Sequence, residues 1–115
     1  MASKSTNTTL KALIAKLEGL SKEKNIDLWS AVAKNLSRSK RLRRQVNLSK
    51  INKYANDNEI ALIPGKVLGD GEIKKKIQIA ALAFSESAKE KFKNIMSIEE
   101  LMLKNPQGKN VRIIG

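Results

Sequence analysis

The sequence has no cysteine and no histidine in 115 residues. Their absence excludes disulfides, thiol nucleophiles, Cys/His metal sites and imidazole general bases. It leaves the compartment unspecified but fits a reducing cytosol. Aromatics are scarce, with one Trp, one Tyr and two Phe. That is too few for the stacking platforms with which single-strand readers hold bases. No apolar run approaches the roughly 18 residues of a membrane span. The opening Met-Ala-Ser-Lys-Ser-Thr-Asn-Thr-Thr lacks the apolar stretch of a secretory signal. Negative charge is short too: 11 Asp and Glu face 23 Lys and Arg, a formal charge of +12. Like charges oppose compaction, so this excess points to a polyanionic partner.

What is present is a single domain's worth of chain, long enough for a modest core without staples. Residues 1–8 are small and polar and are expected to be a flexible N-terminal segment, leaving 9–115 as the domain. Leu10, Leu13, Ile14, Leu17 and Leu20 follow amphipathic helical spacing, with a cap expected among Thr6 to Thr9. Gly19 and the polar run Ser21 to Asn25 mark the end of that helix. Asp27 is the expected cap of a second helix with Trp29, Val32, Ala33 and Leu36 inward. At that spacing the only Trp is a core residue before it is a stacking platform.

Between Asp27 and Asp57 the chain carries no acidic residue, while Lys34, Arg38, Lys40, Arg41, Arg43, Arg44, Lys50 and Lys53 all fall there. Ser37 to Arg44 packs five cations into eight residues, four of them Arg. A guanidinium matches phosphate oxygens in pairs, whereas an ammonium is a point charge. A charge run is usually a solvated face. With no acid nearby to pair with it, contact with a phosphate surface is the better account.

Val46-Asn47-Leu48 reads as a short strand, and Ser49 to Tyr54 as a short helix with Ile51, Tyr54 and Ala55 inward. The central stretch runs from Glu59 to Phe84. Pro64 has no amide for a ladder, so the first strand there is expected to end at Ile63. A loop follows with Gly65, Gly69, Gly71 and Lys66, edged by Lys74, Lys75 and Lys76, in which Asp70-Gly71 is turn chemistry. Three glycines beside four lysines favour a platform whose amides approach phosphate. From Ile77, Ile79, Ala81 and Ala83 share one face of a strand and Gln78, Ala80, Leu82 and Phe84 the other, so that strand is covered on both sides. Ser85 or Ser87 opens a third helix, Ser87 with Glu90 having capping-box spacing, and Ala88, Phe92 and Ile95 inward. Ser97-Ile-Glu-Glu100 is a second capping box, Asn105-Pro106-Gln-Gly108 stops that helix, and Val111 to Gly115 is a last strand. Lys109 and Arg112 add two cations there.

Gly65, Gly69 and Gly71 have neither the dinucleotide nor the nucleotide-triphosphate spacing, which argues against a nucleotide enzyme. Glu99 and Glu100 sit where a helix dipole favours negative charge. Recognition of a folded nucleic acid by shape and backbone charge remains.

Val46-Asn-Leu-Ser-Lys-Ile51, Ile63-Pro-Gly-Lys-Val-Leu-Gly-Asp-Gly71, Ala80-Ala-Leu-Ala-Phe-Ser85, Ser97-Ile-Glu-Glu-Leu101, Asn105-Pro-x-Gly108 and Val111-Arg-Ile-Ile114 occur in this order. Together they resemble the archaeal and eukaryotic large-subunit ribosomal protein family eighteen-e, related to bacterial large-subunit protein fifteen. The length is similar to the archaeal form. One departure is the short Asn94-Ile95-Met96 connection, where relatives often carry a glycine-containing insert and a small strand. The resemblance implies an α/β fold: a single mixed domain of irregular β-β-α-like units behind two N-terminal helices. It implies a structural constituent of the large ribosomal subunit in the cytoplasm, without catalysis or cofactor. The partners implied are large-subunit ribosomal RNA and neighbouring ribosomal proteins, not a membrane or a small-molecule substrate. The candidate RNA-binding set is Lys34, Arg38, Lys40, Arg41, Arg43, Arg44, Lys50, Lys53, Lys66, Lys74, Lys75, Lys76, Lys109 and Arg112. The alternative is a DNA-binding or chromatin-type basic protein, although the Ser21–Ile26 connection is long for a helix-turn-helix and the second helix is apolar. A small RNA-processing enzyme would have to rely on Asp70 and Glu72 beside Lys74, residues whose turn context is structural.

Overall fold

Among the described residues five strands, all parallel, form one sheet: Arg44–Asn47 (β1), Ile60–Leu68 (β2), Gln78–Phe84 (β3) and Ile95–Ser97 (β4) lie in that order, and Val111–Ile113 (β5) also pairs β2. The computed structural model describes residues 2–37 and 44–114. Along the chain the elements are α1 (Ala2–Lys24), α2 (Asp27–Leu36), β1 (Arg44–Asn47), α3 (Leu48–Tyr54), β2 (Ile60–Leu68) and β3 (Gln78–Phe84). They continue with α4 (Glu86–Lys91), β4 (Ile95–Ser97), α5 (Ile98–Lys104) and β5 (Val111–Ile113). This is the α/β domain with two N-terminal helices that the sequence led us to expect.

The first strand of the central stretch does not stop at Ile63. β2 runs through Pro64 and Gly65 to Leu68. On its β3 side, Ile63 pairs with Ala81 but Lys66 with Ala83, so β2 carries one extra residue there. A bulge of this kind leaves a residue outside the ladder. On the other side β5 pairs residues 60–62 and β1 pairs residues 65–68, and Pro64 falls between them. A proline is tolerated here because no partner strand calls on its missing amide.

Both faces of the sheet are covered, and the alternation along the strands sorts the core. Ala61, Ile63, Ile79 and Ala81 join Val46, Leu48, Ile51, Ala55, Val67, Ala88 and Ile114 beneath α3 and α4. Leu62 and Ala80 join Leu13, Leu17, Trp29, Val32, Ala33, Leu36, Ile98 and Leu101 beneath α1, α2 and α5. The two-sided reading of β3 therefore holds at Ile79, Ala80 and Ala81. Towards its end Ala83 is exposed, and Leu82 and Phe84 are only half-buried.

Several local expectations shift. α1 continues past Gly19 to Lys24, and Thr6 to Thr9 lie inside it. It ends where Asn25 adopts φ 56°, with the Ile26 amide donating to the Ser21 carbonyl at 3.0 Å. That is a Schellman-type end, for which Asn substitutes for Gly. Asp27 is the first residue of α2 and Ile26 its cap, so Asp27 acts through the helix dipole and not by capping. Leu48 belongs to α3, not to β1, and Tyr54 is half exposed on α3 instead of inward. The cap of α4 is Ser85, whose hydroxyl accepts from the Ala88 amide at 3.2 Å; Ser87 is not the cap. Phe92 and Ile95 lie beyond that helix, and Ile95 opens β4, the small strand, despite the short connection. Ser97 caps α5 as expected, accepting from the Glu100 amide at 3.1 Å.

Candidate nucleic-acid interface

Arg38, Lys40, Arg41 and Arg43 lie outside the described residues. Their flanks are placed: Ser37 ends α2, its amide donating to the Ala33 carbonyl at 3.0 Å, and the Arg44 backbone opens β1 opposite Gly65. Lys34 is exposed on the last turn of α2. Lys66 is exposed on β2, one register step beyond Arg44, opposite Gln45.

The remaining cations of the acid-free stretch sit on α3, and the fold brings the lysine trio beside them. Strands β2 and β3 are parallel, so residues 69–77 must carry the chain back along the sheet. Most parallel crossovers use a helix and a dozen or more residues. This one is extended and pinned to α3 and the turn after it. The Ser49 amide donates to the Asp70 carbonyl at 3.0 Å, and the Lys74 amide to Asn52 Oδ1 at 2.8 Å. Further on, the Lys76 amide donates to Asp57 Oδ1 at 2.9 Å and the Asn58 amide to the Lys76 carbonyl at 2.7 Å. Lys74 and Lys76 are thus exposed, with their amides tied to α3 and to the turn after it, while Lys75 turns inward. Its Nζ donates to the Ala55 carbonyl at 2.7 Å and the residue is half-buried. Lys53 also lies 5.5 Å from the centre of the Tyr54 ring, a cation–π distance.

Gly69 and Gly71 are explained by the protein's own packing. A Cβ on Gly69 would run into the Ser87 side chain and come within 2.9 Å of the Ala88 amide nitrogen at the start of α4. One on Gly71 would come within 2.7 Å of the Ser49 amide nitrogen, and its φ of +92° is one that side chains resist. The space left by these two glycines is filled by protein, which gives each of them a packing reason of its own.

At the far edge of the sheet Arg112 is engaged with Glu59: Nε donates to Oε1 at 2.8 Å and Nη2 to Oε2 at 3.1 Å. The hydrogen-bonded guanidinium, helped by the Asn56 amide, holds the Glu59 carboxyl below its ordinary value, and Glu59 in turn raises Arg112. Lys109 is exposed, and its backbone is bracketed by the Asn105 side chain at 2.8 and 3.2 Å. Asn52, Asn105 and Asp57, which orient these cations, read in the sequence only as helix and turn residues. The signal they offer is a short polar side chain of the kind that bonds nearby backbone.

Among the described residues no group of Asp and Glu is arranged to hold a metal ion, and no helix is long and apolar enough to cross a membrane. Asp70 and Glu72 are exposed on the crossover, and Asp70 serves α3 through its carbonyl.

The fold is that of a small basic parallel α/β protein, with exposed lysines on α2, α3, β2 and the 69–77 crossover among others. The chain belongs to the family described as ribosomal protein 60S L18 and 50S L18e, whose profile matches residues 1–115. It is 43% identical over 113 residues to the large ribosomal subunit protein eL18 of Archaeoglobus fulgidus, covering 95% of this chain and 97% of that one. With the eL18 of Methanosphaerula palustris it shares 43% over 115 residues, 96% of this chain and 95% of the relative. With that of Halobacterium salinarum the identity is 36% over 113 residues, 95% and 97% of the two chains.

Proposed function

We propose that this chain is a structural constituent of the large ribosomal subunit in the cytoplasm, holding folded ribosomal RNA through backbone phosphates and performing no catalysis. The observation that carries the reading is the full-length family match, joined to where the cations stand. Lys50, Lys53, Lys66, Lys74 and Lys76 are exposed and make no ion pair among the described residues. Cations left unpaired on a rigid scaffold favour a polyanion, because neutralising phosphates releases their condensed counterions. Arg44, the last residue of the basic run, opens β1 beside the strand that presents Lys66. Lys34 and Lys109 extend the surface. Lys75 and Arg112 contribute chiefly by holding the scaffold, since each already has a protein partner. Neighbouring ribosomal proteins are further partners in this reading, and nothing favours duplex DNA.

Sedimentation tests it. The endogenous protein is expected to travel with large subunits through a high-salt wash. Recovery in the light fractions, or retention on duplex DNA in preference to deproteinised large-subunit RNA, would overturn it.

A further inference from the structure

This fold keeps its loops at one edge of the sheet. At the carboxyl ends the strands run into helices almost without connection: Asn47 to Leu48, Ser97 to Ile98, and Phe84 to Glu86 through Ser85 alone. The helix-to-strand connections 55–59, 92–94 and 105–110 are longer, and in a parallel sheet they all arrive at the amino edge. The crossover arrives there too, at Lys75 to Ile77. Together they line an open groove of about 720 Å³.

Its chemistry is unlike that of the α3 face. Ile60, Ile77 and Phe92 supply apolar surface, and Phe92 is only half-buried in the core cluster behind it. Glu59 is the one carboxylate in the lining, and Arg112 occupies both its oxygens. The rest of the polar lining is amide and ammonium. Part of it is committed: Asn94 Nδ2 donates to the Ile77 carbonyl at 3.0 Å, Asn105 brackets Lys109, and Lys75 holds Ala55. Asn58, Gln78 and Asn110 have no side-chain hydrogen bond among the described residues, and Lys76 and Lys109 no ion pair.

The backbone around the free amides is fixed. The Asn58 amide donates to the Lys76 carbonyl at 2.7 Å, and the Asn110 carbonyl accepts from the Ile60 amide at 2.8 Å. Asn58 and Asn110 both have positive φ, 69° and 60°. Glycine would meet that backbone requirement equally well, so the conformation alone does not call for the amide groups.

A phosphate only accepts hydrogen bonds, so it would use the donor half of a side-chain amide and not the acceptor half. Side-chain amides both donate and accept, which is what the edge of a base requires, and a half-buried aromatic ring in the same lining suits an unstacked base. The volume lies within the range of about 300–1,000 Å³ typical of small-ligand sites and cannot admit a duplex. We propose that the groove takes one unstacked nucleotide of the bound ribosomal RNA: its base on Phe92, its base edge on Asn58 and Asn110, and its phosphate on Lys76 and Lys109. This rests on the reading of the chain as a ribosomal RNA binder and adds a base-recognising site to it.

The experiment is base probing of deproteinised large-subunit RNA bound by the full chain, with dimethyl sulfate and a water-soluble carbodiimide as reagents. One variant is Asn58→Gly with Asn110→Gly, which keeps the backbone angles and removes both amides. The other is Phe92→Leu, which keeps an apolar side chain and removes the ring. Circular dichroism melts of both check the fold. The unaltered chain is expected to protect a base whose reactivity rises about tenfold in the double variant, as loss of two hydrogen bonds allows. The same base should become reactive with Phe92→Leu. Saturable binding with protections untouched by both variants overturns the groove and leaves the ribosomal reading standing. No saturable binding by the unaltered chain overturns both.

Discussion

The indole Nε1 of Trp29 donates to the main-chain carbonyl of Pro106 at 2.8 Å, joining α2 to the loop before β5 across 77 positions of sequence. Trp29 is fully buried, and beside it Gly108, at φ 68°, lets the loop approach Leu28. The ring therefore fills the core under the helical layer while its one polar atom secures the loop that feeds the last strand. Trp29→Phe keeps most of the packing but leaves a carbonyl without its partner. The expected loss is about 1–3 kcal/mol in urea unfolding. Trp29→Ala should cost about 3–5 kcal/mol. A Trp29→Phe variant as stable as the unaltered chain would show that the hydrogen bond contributes nothing.

The glycines separate by their surroundings. Gly19 lies inside α1 with open space where a Cβ would go. Gly19→Ala should stabilise the chain by about 0.5–1 kcal/mol, because it removes backbone freedom from the unfolded state. Gly71→Ala meets both a positive φ and the Ser49 backbone, so it should destabilise by about 1–3 kcal/mol. Gly69→Ala should also destabilise, since the Ala88 backbone cannot step aside as a side-chain tip would. Melting temperatures of the three variants check the signs.

The Glu59–Arg112 pair has a defined pH signature. Glu59 is held below its ordinary value of 4.5. A carboxyl depressed on folding stabilises the native state above its unfolded value and loses that contribution as pH falls through the lower folded one. The melting-temperature gap between the unaltered chain and Glu59→Gln should be constant from neutral pH down to about 5 and close below that. Arg112, raised further, stays charged throughout and adds no slope. A gap unchanged down to pH 2 would show that the carboxylate charge does not matter.

RNA affinity should report the cations through salt. Replacing Arg41, Arg43 and Arg44 by Ala should weaken binding and reduce the slope of log affinity on log salt by about 0.7–0.9 for each phosphate no longer neutralised. Lys66→Ala should act in the same direction with little change in melting temperature, because the side chain is exposed. Lys75→Ala should mainly lower stability, since its ammonium serves the Ala55 carbonyl. An unchanged salt slope in the triple Arg variant would mean those side chains are only solvated.

Periodicity alone located the inward faces of α1 and α2, because burial repeats with the helical turn and Leu13, Leu17, Trp29, Val32 and Leu36 carry it locally. The doubled apolar run at Ile79 to Ala81 likewise announced a strand covered on both sides. Ser97 was legible as a cap because its partner amide is three residues away. The charge excess and the motif order were legible for the same reason: each is a property of the chain itself. What the tertiary structure decided were the matters settled by distant neighbours. Pro64 lies within a strand because β5 and β1 pair β2 on either side of it, a gap that no local rule can see. Gly69 and Gly71 answer to Ser87 and Ser49, residues from two other elements. Lys75 turns inward between outward neighbours because the crossover happens to pass the free carbonyl of Ala55. The groove at the amino edge exists only because the strands are parallel, and strand direction follows from how the whole sheet packs, not from any one run of residues.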